Sequence, residues 1–346
     1  MVAKPPLDPP PVLFDDDPMI VYWNKPVAEL VTLKKPDMDP GQAERHRIFS
    51  LALMSLVEHY WNGNRFGAEG SYPWRTKQQW PSHSGLYLPK CNGKQADYLG
   101  HNICAMAVDG DGDIIDFDFN HNEVFDSSVE HAESRLIRRI FALTRLNDYN
   151  TADPARGDDY STRLTKVTVY TSLESCAQCS GIMTLGKVKE VVYLQKDYGT
   201  YAIGNILYNL THDPTSGFAK PIAAPRPIPG SDFNFGYYKQ LDDSFRNYFD
   251  KVANRPEDPT KPDRSFFNGK GSKSIAGYLC TDDAYEIYRA AADEFATMKT
   301  SYGSYLPNSA DISPKLLKTN DQALVDARKF VEYAKTYGSR GTPHQS

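Results

Sequence analysis

Four residues in two short motifs have the types and the spacing of a catalytic metal site. His131-Ala-Glu133 comes first, and Ser175-Cys176-Ala-Gln-Cys179 follows farther along the chain. A structural zinc ion is usually closed by four protein ligands, whereas a catalytic zinc ion has three and leaves the fourth position to water. One histidine and two cysteines supply three ligands, and the nearby carboxylate can accept a proton from water and later return it. The motifs therefore predict a zinc site with His131, Cys176 and Cys179 as ligands and Glu133 as the catalytic proton-transfer group.

The local sequence places both motifs at the starts of helices. Ser127 or Ser128 can cap a helix whose apolar residues keep helical spacing through Arg145, with the first motif in its first turns. Alternating β-branched residues predict a strand at Leu164–Thr171, and a helix is predicted from Cys176 to Leu185. A cysteine at a helix N-terminus is favoured as thiolate, because the helix dipole and the free N–H groups stabilise negative charge.

The two motifs match the signature of the zinc nucleobase deaminases, His-x-Glu followed by Pro-Cys-x-x-Cys, except that Ser175 stands where the signature has proline. Further segments resemble the tRNA adenosine deaminase branch of the cytidine deaminase-like superfamily: Cys176–Met183 (CAQCSGIM), Gly186–Tyr193 (GKVKEVVY), Lys196-Asp197 and Gly204–Leu210 (GNILYNL). The resemblance implies a Zn²⁺ cofactor and hydrolytic deamination of a base, a hydrolase reaction on a C–N bond of a cyclic amidine.

A β-hairpin is predicted upstream, with strands at Ile103–Val108 and Asp113–Phe119 joined by Asp109–Gly112. Gln42–Trp61 is predicted as the first helix. The resemblance then implies an α/β fold, a three-layer α/β/α cytidine deaminase-like sandwich with a mixed five-stranded sheet.

Substrate contacts are expected next to the second hairpin strand and next to the cysteines. Family members hold the base with an asparagine just after that strand, so the resemblance points to Asn120, with Asn122 as the reserve candidate. The backbone near Ser175 would accept a hydrogen bond from the amine. An Asx turn that ends the strand is the other interpretation of Asn120.

The resemblance implies a central domain, and composition suggests a Pro-rich segment on each side of it, so the 346 residues divide into three parts. Residues 1–39 are predicted to be an extended Pro-rich arm, and residues 40–215 a zinc deaminase domain with insertions at 62–98 and 147–160. Residues 216–346 are predicted to be a mainly helical extension. Its predicted helices are Phe235–Val252, Thr281–Tyr302 and Asp321–Tyr337.

Basic and aromatic residues alternate in a Pro- and Gly-containing stretch of this extension. Such a stretch can follow a single strand, with phosphates on the cations and bases on the rings. The other interpretation is a solvated linker with two anchoring phenylalanines. The candidate nucleic-acid contacts are Arg264, Phe266, Phe267, Lys270 and Lys273.

The net charge of −5 argues against a uniformly basic nucleic-acid-binding surface but allows a local basic patch. The sequence contains no apolar run long enough to span a bilayer, and its N-terminus lacks the basic-then-apolar order of a signal peptide. Five cysteines are a sparse, odd set typical of a reducing compartment. We therefore expect a cytoplasmic protein with no membrane partner, and the resemblance implies a homodimer.

The sequence leaves the substrate open. Adenine in tRNA or another nucleic acid, converted to inosine, is favoured by the resemblance. Cytosine in single-stranded DNA or RNA is an alternative, because the same metal centre serves both bases. A free base, nucleoside or nucleotide is a further alternative, as is a non-catalytic zinc-binding scaffold or partner subunit.

Overall fold

The structure is a computed structural model. It describes residues 25–61, 88–91, 94–96, 101–122, 127–151, 163–212, 223–253, 274–307 and 317–338. The candidate nucleic-acid contacts Arg264, Phe266, Phe267, Lys270 and Lys273 lie outside these residues, as does most of the two predicted insertions.

The predicted helices and strands occur in the predicted order. The structure also has elements that were not predicted: a helix at Val27–Val31 within the predicted extended arm, a short helix at Ile275–Tyr278, and strands at Leu88–Cys91, Lys94–Ala96 and Arg226–Pro229. The helices are α1 Val27–Val31, α2 Pro40–His59, α3 Ala132–Thr151, α4 Ala177–Leu185, α5 Ile203–His212, α6 Gly236–Ala253, α7 Ile275–Tyr278, α8 Asp282–Thr297 and α9 Asn320–Tyr337. The strands are β1 Leu88–Cys91, β2 Lys94–Ala96, β3 Cys104–Val108, β4 Ile114–Phe119, β5 Thr168–Thr171, β6 Glu190–Tyr193 and β7 Arg226–Pro229.

A mixed five-stranded sheet forms the middle layer, in the order β4-β3-β5-β6-β7. Strand β3 is antiparallel to β4 and to β5, whereas β5, β6 and β7 are parallel to one another. Helix α2 contacts β3 and β5, α3 contacts β3 and β4, and α5 contacts β7. The predicted α/β class with a mixed five-stranded sheet is confirmed, and so is a mainly helical C-terminal part.

The turn between β3 and β4 forms where the sequence predicts it. Asp109 Oδ1 accepts hydrogen bonds from the backbone N–H groups of Asp111, Gly112 and Asp113, at 3.0, 2.9 and 2.8 Å. Gly112 adopts a φ of 98°, a region that favours glycine because it has no Cβ. One aspartate therefore fixes the turn that sets the register of the hairpin.

The fifth strand lies beyond residue 215, where the sequence predicts the end of the domain. Strand β7 contains Pro227 and Pro229 and occupies an edge of the sheet. Proline has no N–H to donate, so it is tolerated in an edge strand but not in a central one. The sheet thus extends into the segment for which a helical extension is predicted. This strand was not predicted because its two prolines have a low propensity for β-structure.

Helix α2 lies between the sheet and the C-terminal helices. It contacts β3 and β5 as well as α8 and α9. Residues from Ile48 to Val57 are buried around the whole circumference of the helix, which is typical of a helix inside a core. The C-terminal helices therefore extend the hydrophobic core of the sandwich by another layer.

Within the described part of the chain, none of the helices combines the length and the apolar character needed to span a bilayer.

Candidate metal centre

The two motifs converge at one end of the sheet. His131 immediately precedes α3, and Cys176 is the N-cap of α4, which follows β5 after a short loop. Helices α3 and α4 pack against each other. Each predicted ligand therefore lies at or next to a helix N-terminus, as the sequence indicates.

The donor atoms of His131, Cys176 and Cys179 all lie within 4.8 Å of one another. His131 Nδ1 is 3.3 Å from Cys176 Sγ and 3.7 Å from Cys179 Sγ. Two ligands at ordinary Zn–N and Zn–S lengths in a tetrahedral site are separated by about 3.6 Å. The distances and the donor chemistry therefore fit a zinc ion held by one imidazole and two thiolates.

The three groups lie within hydrogen-bonding distance of one another, and their contacts shift the pKa values of all three. Hydrogen bonds with Cys179 and with His131 lower the pKa of the Cys176 thiol to about 4, although burial opposes the shift. The hydrogen bond with Cys176, together with burial, raises the pKa of Cys179. The hydrogen bond with Cys176 also raises the pKa of His131. These shifts favour a thiolate at Cys176 next to the imidazole of His131 even without the charge of a metal ion.

Glu133 lies beside these donors and is 3% exposed. Burial is the main cause that raises the pKa of its carboxyl group. Oε1 accepts a hydrogen bond from Ser175 Oγ at 3.1 Å, and Thr171 Oγ1, also 3.1 Å away, shares its single proton between this oxygen and the carbonyl of Leu173 at 3.0 Å. The carboxylate is thereby fixed in orientation by two hydroxyls that approach the same oxygen.

Comparison with known proteins adds little to this geometry. No protein-family model and no curated protein matches the chain. A search of solved structures returned a chain from a study of A-to-I editing by tRNA:A34 deaminases at the wobble position of transfer RNA. The two sequences are 21% identical, and the match covers 37% of this chain and 82% of that chain with a TM-score of 0.25. A likeness of this size carries no argument about activity.

The two asparagines predicted to contact a base have structural partners. Asn120 is buried, and its Oδ1 accepts a hydrogen bond from Ala132 N at 2.8 Å. Asn122 Nδ2 donates to the carbonyl of Ser127 at 3.0 Å. Asn120 therefore caps α3 at the first motif, which places it next to the centre whether or not it also contacts a substrate.

The start of α3 differs from the sequence prediction. The carbonyl of His131 accepts the hydrogen bond of Arg135 N at 3.0 Å, so His131 itself occupies the N-cap position. Ser127 and Ser128 precede the helix instead of capping it. The physical reason is that the distant Asn120 side chain, and not a local serine, satisfies the free N–H group of Ala132.

A buried ion network supports the same helix, and the sequence analysis missed it. Asp116 and Asp118, two residues apart on β4, share the face that packs against α3. Arg139 donates to Asp116 and Asp118, in each case at 2.6 Å, and Arg135 Nε donates to Asp118 at 3.2 Å. The sequence does contain the pattern from which it could have been predicted. Two aspartates lie two residues apart in a predicted strand, and two arginines lie four residues apart in a predicted helix, so each pair shares one face.

The titration of the network aspartates reflects their burial and their partners. Burial raises the pKa of Asp116 to about 6 in spite of Arg139. Burial acts in the same direction on Asp118, but the charges of Arg139, His121 and Arg135 outweigh it and lower the pKa of that carboxyl group. The network thus anchors α3, the helix whose N-cap is His131.

Proposed function

We propose that the protein is a zinc-dependent hydrolytic deaminase of a nucleobase. The observation that carries the proposal is the convergence of the donor atoms of His131, Cys176 and Cys179 within 4.8 Å, beside the buried carboxylate of Glu133. Three ligands of this type with an adjacent carboxylate are the set that hydrolytic zinc deamination requires.

A zinc ion held by His131, Cys176 and Cys179 would supply Lewis acidity toward water. Glu133 moves the protons in two transfers: its carboxylate takes one proton from the attacking water and delivers it to a ring nitrogen, then takes the remaining proton from the added hydroxyl and delivers it to the departing amine. Because both hydroxyl donors approach Oε1, Oε2 is the oxygen assigned to proton transfer. In the net reaction a C–O bond forms, a C–N bond breaks, one water proton stays on the ring nitrogen, and the amino group leaves as ammonia with the other water proton.

The proposed substrate is adenine within tRNA or another nucleic acid, in a loop or flipped out of a stack. The support is the sequence resemblance that continues beyond the motifs through Gly204–Leu210. Asn120, Asn122 and Ser175 are the proposed substrate contacts, through the amides of the asparagines and the backbone of Ser175. The test below also covers cytosine in single-stranded nucleic acid and free nucleosides as alternative substrates.

The test uses the purified full-length protein. Its metal content is measured, and it is incubated with tRNA, with single-stranded DNA and RNA oligonucleotides and with free nucleosides. Digestion and mass spectrometry then quantify inosine and uridine, and ammonia is assayed in parallel. We expect one zinc per chain and inosine in the tRNA arm, whereas uridine or a free-nucleoside product would reassign the substrate.

Glu133→Gln is the control for the chemistry. The variant should keep its zinc and lose roughly 10² to 10⁴-fold of the activity, the range for removal of a general acid–base group. Zinc without ammonia release from the wild-type protein would indicate a scaffold and would reject the proposal.

A further inference from the structure

A serine hydroxyl lies beside one of the proposed ligands, on the helix that carries Glu133. Ser134 Oγ is 3.5 Å from Cys179 Sγ, and the two residues are 2% and 0% exposed. Either atom can donate at this distance, so the separation alone does not give the direction of the hydrogen bond.

The amide of Gln178 gives the direction. Its Nε2 lies 2.9 Å from the carbonyl oxygen of Val129, which can only accept, so the atom at that position is the amide nitrogen. The same nitrogen lies 3.1 Å from Ser134 Oγ and must donate to it. The serine oxygen therefore accepts, and its own proton is free to point to the sulfur of Cys179.

We propose that Gln178 and Ser134 form a relay that donates a hydrogen bond to Cys179 and positions its sulfur as a metal ligand. The inference rests on the proposed function, because it concerns the same zinc site. A donor to the sulfur stabilises the thiolate against protonation and fixes the direction of its lone pairs. Partners of this kind around metal ligands are worth roughly 10- to 100-fold in metal affinity.

The relay also joins the two ligand-bearing segments. Gln178 lies between the two cysteines in the sequence, and its amide bonds to Val129, two residues before His131. One side chain thus links the loop before α3 to the start of α4 and orients the serine between them. Gln178 is a positioning residue in this scheme, as is Ser134, since neither is a ligand.

Cobalt(II) is the probe, because thiolate ligands give it a charge-transfer absorption whose energy reports on the sulfur. Ser134→Ala should move this band to longer wavelength, because the lone pairs of the sulfur rise in energy when the hydrogen bond from the serine hydroxyl is lost. Competition with a chromophoric chelator should show Co²⁺ and Zn²⁺ affinity reduced by roughly 10- to 100-fold. Ser134→Thr keeps the hydroxyl and should restore both the band and the affinity.

Two further variants control the experiment. Ser55→Ala makes the same change at a buried helical serine on α2, and it should leave the band and the affinity unchanged. Gln178→Leu alters an exposed side chain, so its fold should persist, and we expect it to shift the band in the same direction by a smaller amount.

The outcomes separate the two proposals. If the wild-type protein binds Co²⁺ and neither Ser134→Ala nor Gln178→Leu changes the band or the affinity, the relay is rejected and the zinc site stands. If the wild-type protein binds neither Co²⁺ nor Zn²⁺, the proposed function itself fails. A loss of stability in Ser134→Ala with an unchanged band would assign the serine a purely structural role and would also reject the relay.

Discussion

Ser175 donates its hydroxyl hydrogen to Glu133 Oε1 over 3.1 Å. This is the position at which the deaminase signature has proline, a residue with no side-chain donor. A proline at this position would restrict the backbone ahead of the cysteine helix, and a serine does not. In the structure it provides one of two hydroxyls on the carboxylate, the other being Thr171.

Removal of this hydroxyl should weaken catalysis without removing the metal. A hydrogen bond to a charged group contributes about 1.5–3 kcal/mol, so Ser175→Ala should lower kcat/KM by roughly 10- to 100-fold. Thr171→Val removes the other hydroxyl and should have a smaller effect, because the proton of Thr171 is shared with the carbonyl of Leu173. Steady-state rates and zinc content together check this, and a zinc-free Ser175→Ala protein would contradict the assigned role.

Metal binding should stabilise the fold through Cys176. Ligand that binds only the folded state stabilises it by about 2.7 kcal/mol at a hundredfold excess over Kd, so zinc should raise the melting temperature of metal-stripped wild-type protein. Cys176→Ala should abolish the rise. Cys280→Ala, a matched change at a buried cysteine in the C-terminal part, should keep it. Equal responses from the two variants would argue against the proposed ligand set.

The ion network below α3 should be costly to break. Arg139→Met leaves Asp116 and Asp118 buried without their main partner, and loss of one member of a buried ion pair costs about 3–5 kcal/mol. Arg138, the neighbouring arginine, is 58% exposed and pairs with Glu130 at 3.3 Å. Arg138→Met should therefore change the free energy of unfolding by less than about 1 kcal/mol.

Urea unfolding of the wild-type protein and the two arginine variants measures this difference. Similar destabilisation by both changes would show that the buried position of Arg139 does not set the cost of its loss.

His46 should make stability depend on pH. Burial lowers the pKa of its imidazole, while the nearby charges of Glu190, Lys189 and Arg45 act on it in both directions. Nδ1 lies 2.9 Å from the hydroxyl of Tyr170. Below pH 6.5 the unfolded chain binds a proton on this histidine before the folded protein does, so stability falls as the pH falls.

The matching experiment compares urea unfolding of wild-type protein and His46→Asn between pH 8 and pH 5. The wild-type protein should lose up to about 1.4 kcal/mol per pH unit below pH 6.5 relative to the variant. Parallel curves for the two proteins would exclude His46 as the titrating group.

Local patterns were sufficient to predict β3, β4, β5, α2, α3, α4 and the three long C-terminal helices, and to place the two motifs at helix starts. Helix α4 begins one residue after its predicted start, and β4 ends at its predicted residue. Long-range contacts were not predictable. Asn120 accepts a hydrogen bond from the first residue of α3, and Asp116 accepts one from Arg139 on the same helix. Both contacts depend on how β4 packs against α3.

The sequence did not predict the edge strand β7, for a different reason. Its sequence, Arg-Pro-Ile-Pro, opposes the strand propensity on which the prediction relies, and the strand forms because β6 offers a partner. Tertiary context overrode local preference at this point.

The position of helix α2 has a consequence for biosynthesis. A ribosome synthesises this helix before α8 and α9, which pack against it. Until they emerge, a large apolar surface on the nascent chain faces water. A chain truncated before α8 should therefore expose this surface and aggregate.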